Sequence, residues 1–319
     1  VRHRFEDFEN SPPISYLSSE VDFYQYVFPI KINQRLKWGH ILATRGCPHH
    51  CSFCTHLIRE SYGSIMRHKN VGTIISEIKM LSSQGVNVIA FADDDLTGDI
   101  PFLKNLCSQL IESGLNISWT AHARIDECNE EILSLMKKSG CSLIRFGLES
   151  GSEEVLSFYN KTRSPQKWWK QANSIIKICN SLDIQVLGLF ILGSPKDNFK
   201  THLHTALKAI TSGLDLIQLH FYTPYEDTIV HLRSQTHKEI TELDHYSWNF
   251  NNHSQSSKAM VQFFYVLIYI LFYLNPFRFL KSIKNYFSFI LHNMELATGL
   301  VKSYLLILTQ MFRFNIKER

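Results

Sequence analysis

The chain has no run of about 20 apolar residues, the length a bilayer-spanning helix needs. Its most apolar stretch, 260–274 (MVQFFYVLIYILFYL), holds 15 positions, one of them the polar Gln262. Glycine and proline are sparse, at 14 and 9 of 319 residues, while 45% of the chain is hydrophobic and 19% charged. That balance describes an ordered globular protein, large enough for one big domain plus an appendage. A disulfide framework is also missing. The seven cysteines are an odd number, and Cys107, Cys128, Cys141 and Cys179 follow no regular spacing. They read as buried thiols of a reducing compartment, hence the cytoplasm. No signal peptide is visible at the N-terminus. A basic main body is missing too. Residues 255–319 hold 8 Lys/Arg against 2 Asp/Glu, and the other 254 residues hold 25 against 27. The net charge of +4 belongs to the tail, which argues against nucleic acid as a partner of the main domain.

What the chain does have is three clustered cysteines. Cys47, Cys51 and Cys54 lie in ATRGCPHHCSFCTH with the spacing C-x-x-x-C-x-x-C. Three thiolates this close can grip one face of a cubane iron–sulfur cluster, which normally takes four cysteines. One iron is then left open to bind and activate a small molecule, as at catalytic zinc sites. A zinc knuckle or redox C-x-x-C is the competing reading. His49, His50 and His56 offer a zinc ligand, but zinc sites close with four ligands and no second cysteine pair follows.

This spacing, with Phe53 just before the last cysteine, resembles the radical S-adenosylmethionine (radical SAM) enzymes. The resemblance implies a [4Fe-4S] cluster whose open iron chelates S-adenosylmethionine. Reduction by an external donor such as flavodoxin or ferredoxin then breaks the sulfonium bond, and a 5′-deoxyadenosyl radical attacks the substrate.

From residue 40 onward apolar runs alternate with amphipathic stretches. Strands are predicted at 40–46, 86–93, 117–124, 142–149, 184–192 and 216–223, and helices at 71–84, 99–114, 129–139, 165–182 and 198–212. Asn129 caps the third helix, with Glu130 and Glu131 in its first turn and Lys137 and Lys138 in its last. Such alternation implies parallel strands with right-handed crossovers. A doubly wound sheet and a partial barrel satisfy it equally. The resemblance implies the barrel: an α/β, partial (β/α)6 TIM-like fold with a helical C-terminal extension. The expected division is a linker at 1–35, a core domain at 36–255 and a basic, aromatic extension at 256–319. The chain begins at Val1 with a polar, proline-containing FENSPPISY, so an upstream segment is expected to be missing.

The phrases that follow the predicted strands resemble a radical SAM subfamily that carries a cobalamin-binding domain. After the second strand comes FADDDLTGD. The resemblance implies that Asp93 and Asp94 lie near the methionine moiety, with Asp95 a loop residue. A solvated acidic turn is the plainer reading. AHARID supplies Arg124 and Asp126, an R-x-D element, with Arg124 expected to pair with a carboxylate of the cofactor or of the second strand, or to form a structural ion pair. RFGLESGSEEVL supplies Glu149 for ribose hydroxyls, and Ser150, Gly151 and Ser152 for a tight turn with free amides. Lys161 completes that phrase or is simply solvated. GLFILGSPKDN places Ile191 and Gly193 near adenine, and glycine there permits close ligand approach. HFYTPYEDT departs from the subfamily at Glu226, Asp227 and Thr228. His220, Tyr222 and Tyr225 are open to a substrate-facing or a packing role.

The implied activity is radical modification of a small-molecule or lipid substrate by methylation, cyclisation or rearrangement. Relatives act on lipids, tetrapyrroles, peptides or natural products. A tRNA-modifying radical enzyme and a non-catalytic iron–sulfur or zinc protein are the alternatives. No D-x-H-x-x-G phrase occurs, so cobalamin enters only through a missing N-terminal domain. The tail reads either as a basic amphipathic helix in peripheral contact with an anionic membrane, or as a helix packed across the barrel's open edge.

Overall fold

The computed structural model describes residues 8–11, 36–54, 65–224, 248 and 250–275. In chain order its elements are β1 (Trp38–Ile41), β2 (Thr44–Arg45), β3 (Arg67–His68), α1 (Val71–Ser83), β4 (Val88–Phe91), α2 (Ile100–Glu112), β5 (Ser118–Ala123), α3 (Glu130–Lys138), β6 (Cys141–Glu149), α4 (Glu153–Phe158), α5 (Pro165–Ser181), β7 (Gln185–Leu192), α6 (Phe199–Thr211), β8 (Leu216–Phe221) and α7 (Lys258–Tyr273). Six strands form a parallel sheet in the order β1-β4-β5-β6-β7-β8, and β2 and β3 make a separate antiparallel ribbon.

Each strand of the large sheet lies beside the one before it, and the order never reverses. A doubly wound sheet reverses at a switch point. Continuous right-handed winding instead puts every helix on one face and curls the sheet. The fold is therefore the α/β partial barrel, open between β1 and β8 among the described residues. Side chains alternate between its faces. Ile41, Phe91, Trp119, Phe146, Phe190 and Phe221 point outward into the core shared with the helices. On the inner face Trp38, Val88, Ala90, Leu143, Leu187 and Leu216 close the bottom of the barrel. Farther along the same strands the inner positions turn polar: His40, Thr120, His122, Arg145, Gln218 and His220. An apolar floor beneath a polar upper chamber places the reactive end at the C-terminal ends of the strands, as in barrels generally.

The helix starts follow their caps. Asn70 accepts from the Gly72 amide at 2.8 Å, Asp99 from Phe102 at 2.9 Å and Asn129 from Ile132 at 2.9 Å. Asn198 and Thr201 form a reciprocal capping box at α6.

Three elements differ from expectation, and one of them is the short strand β3, which no predicted strand covers. The strand predicted at 40–46 breaks after Ile41. The Ala43 and Thr44 amides donate to the Asp93 carboxylate, so a side chain takes the place of the ladder and Thr44–Arg45 turns away to pair with β3. The one-turn helix α4 was not predicted; Ser152 occupies its N-cap position, with Glu153 and Glu154 in its first turn.

Over its described length α7 packs against the body of the protein, while the basic stretch 277–290 that carried the membrane reading lies outside the described residues. Val261, Phe264, Ile268 and Phe272 are buried. On the next stripe Tyr265 stacks on Phe221 with centroids 4.7 Å apart. The Tyr269 hydroxyl accepts from the Leu219 amide at 3.1 Å, and the Tyr273 hydroxyl from Ile217 at 3.5 Å. Three tyrosines at four-residue spacing thus cover the last strand and occupy edge amides that would invite another chain. No helix among the described residues is long and apolar enough to cross a membrane.

Candidate active site

The cysteine loop follows β2 at the C-terminal mouth of the barrel, and side-chain and backbone bonds fix it on two sides. Toward α4, the Ser52 amide donates to the Tyr159 carbonyl at 2.8 Å and its hydroxyl to the Phe158 carbonyl at 2.7 Å. Asn160 donates to the His50 carbonyl at 2.9 Å. Toward β4 and β5, His49 Nε2 lies 2.6 Å from Glu127 and 3.2 Å from Asp95. Thr97 completes the network by donating to Glu127 at 2.7 Å and accepting from the Arg124 amide at 3.0 Å. Burial works against charge on His49, but Asp95 and Glu127 hold its pKa above the ordinary value. Burial likewise works against the Asp95 carboxylate, yet bonds from His49 and Thr97 hold it below the usual range.

The three thiols neighbour one another. Burial and the nearby anions push Cys47 up to about 12 and Cys54 to about 11. Both shifts disfavour the thiolates of Cys47 and Cys54, the form that ligation requires. Thiolates around one tetrahedral zinc sit about 4 Å apart, given zinc–sulfur bonds of about 2.3 Å. The only metal-like group within 4.8 Å among the described residues is instead Cys47, His49 and Asp95, not the three sulfurs together. In that group His49 is already engaged by Glu127. Spread sulfurs fit the faces of a cubane better than one small ion. The other four cysteines are buried in the core, so none of them supplies a fourth thiolate.

Glu149 ends β6 beside this loop. Its φ of 61° is in the left-handed region, which a non-glycine residue adopts at a cost. Its carboxylate is buried and accepts from Lys161 Nζ at 2.9 Å. Burial works against the Lys161 charge, but Glu149 raises its pKa above the usual value. Lys161 is thus a buried partner and not a solvated lysine. Gly147 makes the pair fit: a Cβ there would lie 2.3 Å from Glu149 Oε1 and 2.8 Å from Lys161 Nζ.

Arg124 does not reach a carboxylate of the second strand. Its Nε and Nη2 grip Asp126 at 3.0 and 2.9 Å, Nη2 also donates to the Lys161 carbonyl at 2.6 Å, and Nη1 lies 3.6 Å from Cys51 Sγ.

Two other expectations change in kind. The amides of the Ser150–Ser152 turn are not free. Gly151 donates to Thr205 at 2.9 Å, Ser152 to the Ser150 hydroxyl at 3.1 Å, and Ser150 to the Leu148 carbonyl at 2.8 Å. Ser150 is almost fully buried and builds the turn against α6. Gly193 has φ of 89°, donates to Asp197 at 3.0 Å, and faces Val261 and Phe250. Its glycine is required by backbone conformation.

The acidic turn splits by residue. Asp93 is buried, and burial lifts it to about 6 against the pull of the Thr44 and Ala43 bonds. It shapes the chain between β1 and β2. Asp94 is exposed and near enough to influence Cys54. Asp95 belongs to the His49 network and is not a free loop residue.

Phe53 and Ile191 meet in one apolar cluster with Val155, Tyr159 and Tyr222. The Phe53 and Tyr159 rings are 4.8 Å apart, and the buried Tyr222 hydroxyl has no hydrogen-bond partner among the described residues. Such an orphaned polar atom in an apolar wall suits a flat ligand with polar edges. His220 lies on the inner face in register with Ile191. His56, Tyr225 and residues 226–228 lie outside the described residues.

The reading of the sequence offered His49 only as a zinc ligand and gave no role to Thr97, Glu127 or Arg145. A histidine inside the cysteine loop is the signal for the first; Thr97 bonds Asp95 two residues back, but the side-chain partners of Glu127 and Arg145 lie 25 or more residues away.

The Radical SAM superfamily profile matches residues 41–209. An uncharacterized methyltransferase of Pyrococcus horikoshii is 29% identical over 283 residues, covering 84% of this chain and 58% of that protein. Cytidylyl-2-hydroxyethylphosphonate methyltransferase of Streptomyces wedmorensis is 29% identical over 53% of this chain and 31% of its own length. The chain therefore spans 58% of the first relative and 31% of the second. Among solved structures, the radical S-adenosylmethionine methyltransferase TsrM of Kitasatospora setae superposes with a TM-score of 0.55 at 16% identity, covering 61% of this chain and 38% of that one. Methylornithine synthase superposes at 0.51 with 14% identity, covering 76% and 63%. At such identities these two likenesses speak to the fold alone.

Proposed function

The chain belongs to the radical SAM superfamily, and from that premise we propose that it cleaves S-adenosylmethionine reductively to start radical modification of a small organic substrate. The observation that carries this reading is the pinned three-cysteine loop at the barrel mouth, beside the buried Glu149–Lys161 pair. Cys47, Cys51 and Cys54 would hold a [4Fe-4S] cluster, which when bound supplies the electron and an open iron for the amino acid end of S-adenosylmethionine.

The chain's own residues would do the rest. Glu149, held in place by Lys161, would accept hydrogen bonds from ribose hydroxyls. Phe53, Ile191 and Tyr222 would form the adenine wall, with the Tyr222 hydroxyl offered to a ring edge. Asp94, exposed near Cys54, would meet the amino group of the methionine moiety. Arg124, Ser150 and Gly193 support the site from behind. The polar inner chamber, with Arg145 bonded to Thr120 at 3.0 Å, would receive the substrate, and the apolar floor would keep water from the radical. The names of the relatives favour methyl transfer as the later step.

Metal analysis after anaerobic reconstitution tests the premise. The reading expects about four irons per chain, lost in Cys47→Ala, Cys51→Ala and Cys54→Ala. One tightly held zinc with no uptake of iron would replace it with a zinc-binding function.

A further inference from the structure

Arg124 is the most tightly fixed cation at the mouth of the barrel. Its backbone amide is held by Thr97 at 3.0 Å. Asp126 grips one edge of the guanidinium through two bonds, and the Lys161 carbonyl takes a second bond from Nη2 at 2.6 Å. The side chain is buried. With Nε and Nη2 occupied, Nη1 is the nitrogen left to donate, and Cys51 Sγ lies 3.6 Å from it. This aim is imposed by the fold, since a bidentate carboxylate fixes both the plane and the rotation of a guanidinium.

We propose that Arg124 is a positioning residue that donates an N–H···S hydrogen bond to the Cys51 thiolate and raises the reduction potential of the cluster it ligates. The inference rests on the cluster reading above. One-electron reduction by an external low-potential donor places extra negative charge on the cluster and its thiolates. A fixed donor and a positive charge at one sulfur favour the more negative state, and hydrogen bonds to sulfur are among the terms that set such potentials. Asp126 limits the net charge that Arg124 brings while holding its aim, so the hydrogen bond and not bulk charge is the principal lever. The guanidinium stays cationic at every working pH.

The test is a redox titration of the reconstituted 319-residue chain, followed by the electron paramagnetic resonance signal of the reduced cluster. Arg124→Met should lower the midpoint potential. Arg124→Lys, which keeps the charge and loses the fixed fork, should fall between the two. Lys104→Met, removing an exposed cation paired with Glu131, should leave the potential unchanged. Equal potentials in wild type and Arg124→Met, each with about four irons, overturn the inference while leaving the cluster reading standing. Loss of iron from both Arg124 variants assigns the residue to the scaffold and also overturns it. A wild-type chain that takes up no iron sinks the cluster reading itself.

Discussion

Lys161 Nζ lies 2.9 Å from Glu149 Oε1, with each side chain only 7% exposed. Twelve residues apart, these two side chains lock the end of β6 to the segment after α4, whose carbonyl also receives Arg124. Removing the lysine would strand a buried carboxylate, which typically costs about 3–5 kcal/mol. Lys161→Met is therefore expected to unfold at markedly lower urea concentration, whereas the double variant Lys161→Met/Glu149→Gln should recover part of the loss. Equal midpoints for wild type and Lys161→Met would show that the pair contributes nothing.

Gly147 offers a separate handle on the same pair. A methyl group there would drive into both charged ends. Gly147→Ala should weaken S-adenosylmethionine binding, measured by equilibrium dialysis, with iron content unchanged. Unaltered affinity would count against Glu149 as the ribose ligand.

The His49 network predicts a defect in assembly. His49→Ala removes the contacts to Asp95 and Glu127 and should lower the iron retained after desalting, though all three cysteines remain. Full retention would mean that the α4 side alone holds the loop.

The chamber predicts acid sensitivity. Burial, then Arg145, depresses His122 to about 3, against the opposing pull of Asp95 and alongside Lys161 and His220. The folded protein holds this histidine neutral while the unfolded chain protonates it below about pH 6.5. Its contribution is therefore complete above that pH and falls at up to about 1.4 kcal/mol per pH unit as the pH drops toward 3. His122→Gln should flatten the stability profile in that window. An unchanged slope would show that the ring is solvated.

Much of this fold was legible in the sequence because its signals are local. The cap at Asn129, the apolar periods of the helices and the breaks at Gly114 and Gly140 each set a boundary within a residue or two of its observed place. The partial barrel itself could not be read from periodicity, since strand order depends on pairings between distant residues. The site was less legible. Cys47, Cys51 and Cys54 declare themselves by spacing, but a triplet such as Asp93–Asp94–Asp95 does not say which carboxylate faces Thr44, the solvent or His49. Burial separates them, and burial depends on the whole fold. Lys161 shows the same limit: its sequence neighbours are polar, and only β6 supplies its buried partner.

The central claim is tested most directly by reducing the anaerobically reconstituted chain with dithionite in the presence of S-adenosylmethionine and assaying the products by mass spectrometry. The account predicts 5′-deoxyadenosine and methionine, dependent on reductant and absent from Cys51→Ala. A chain that holds its iron, binds S-adenosylmethionine and yet yields no 5′-deoxyadenosine on reduction would contradict it.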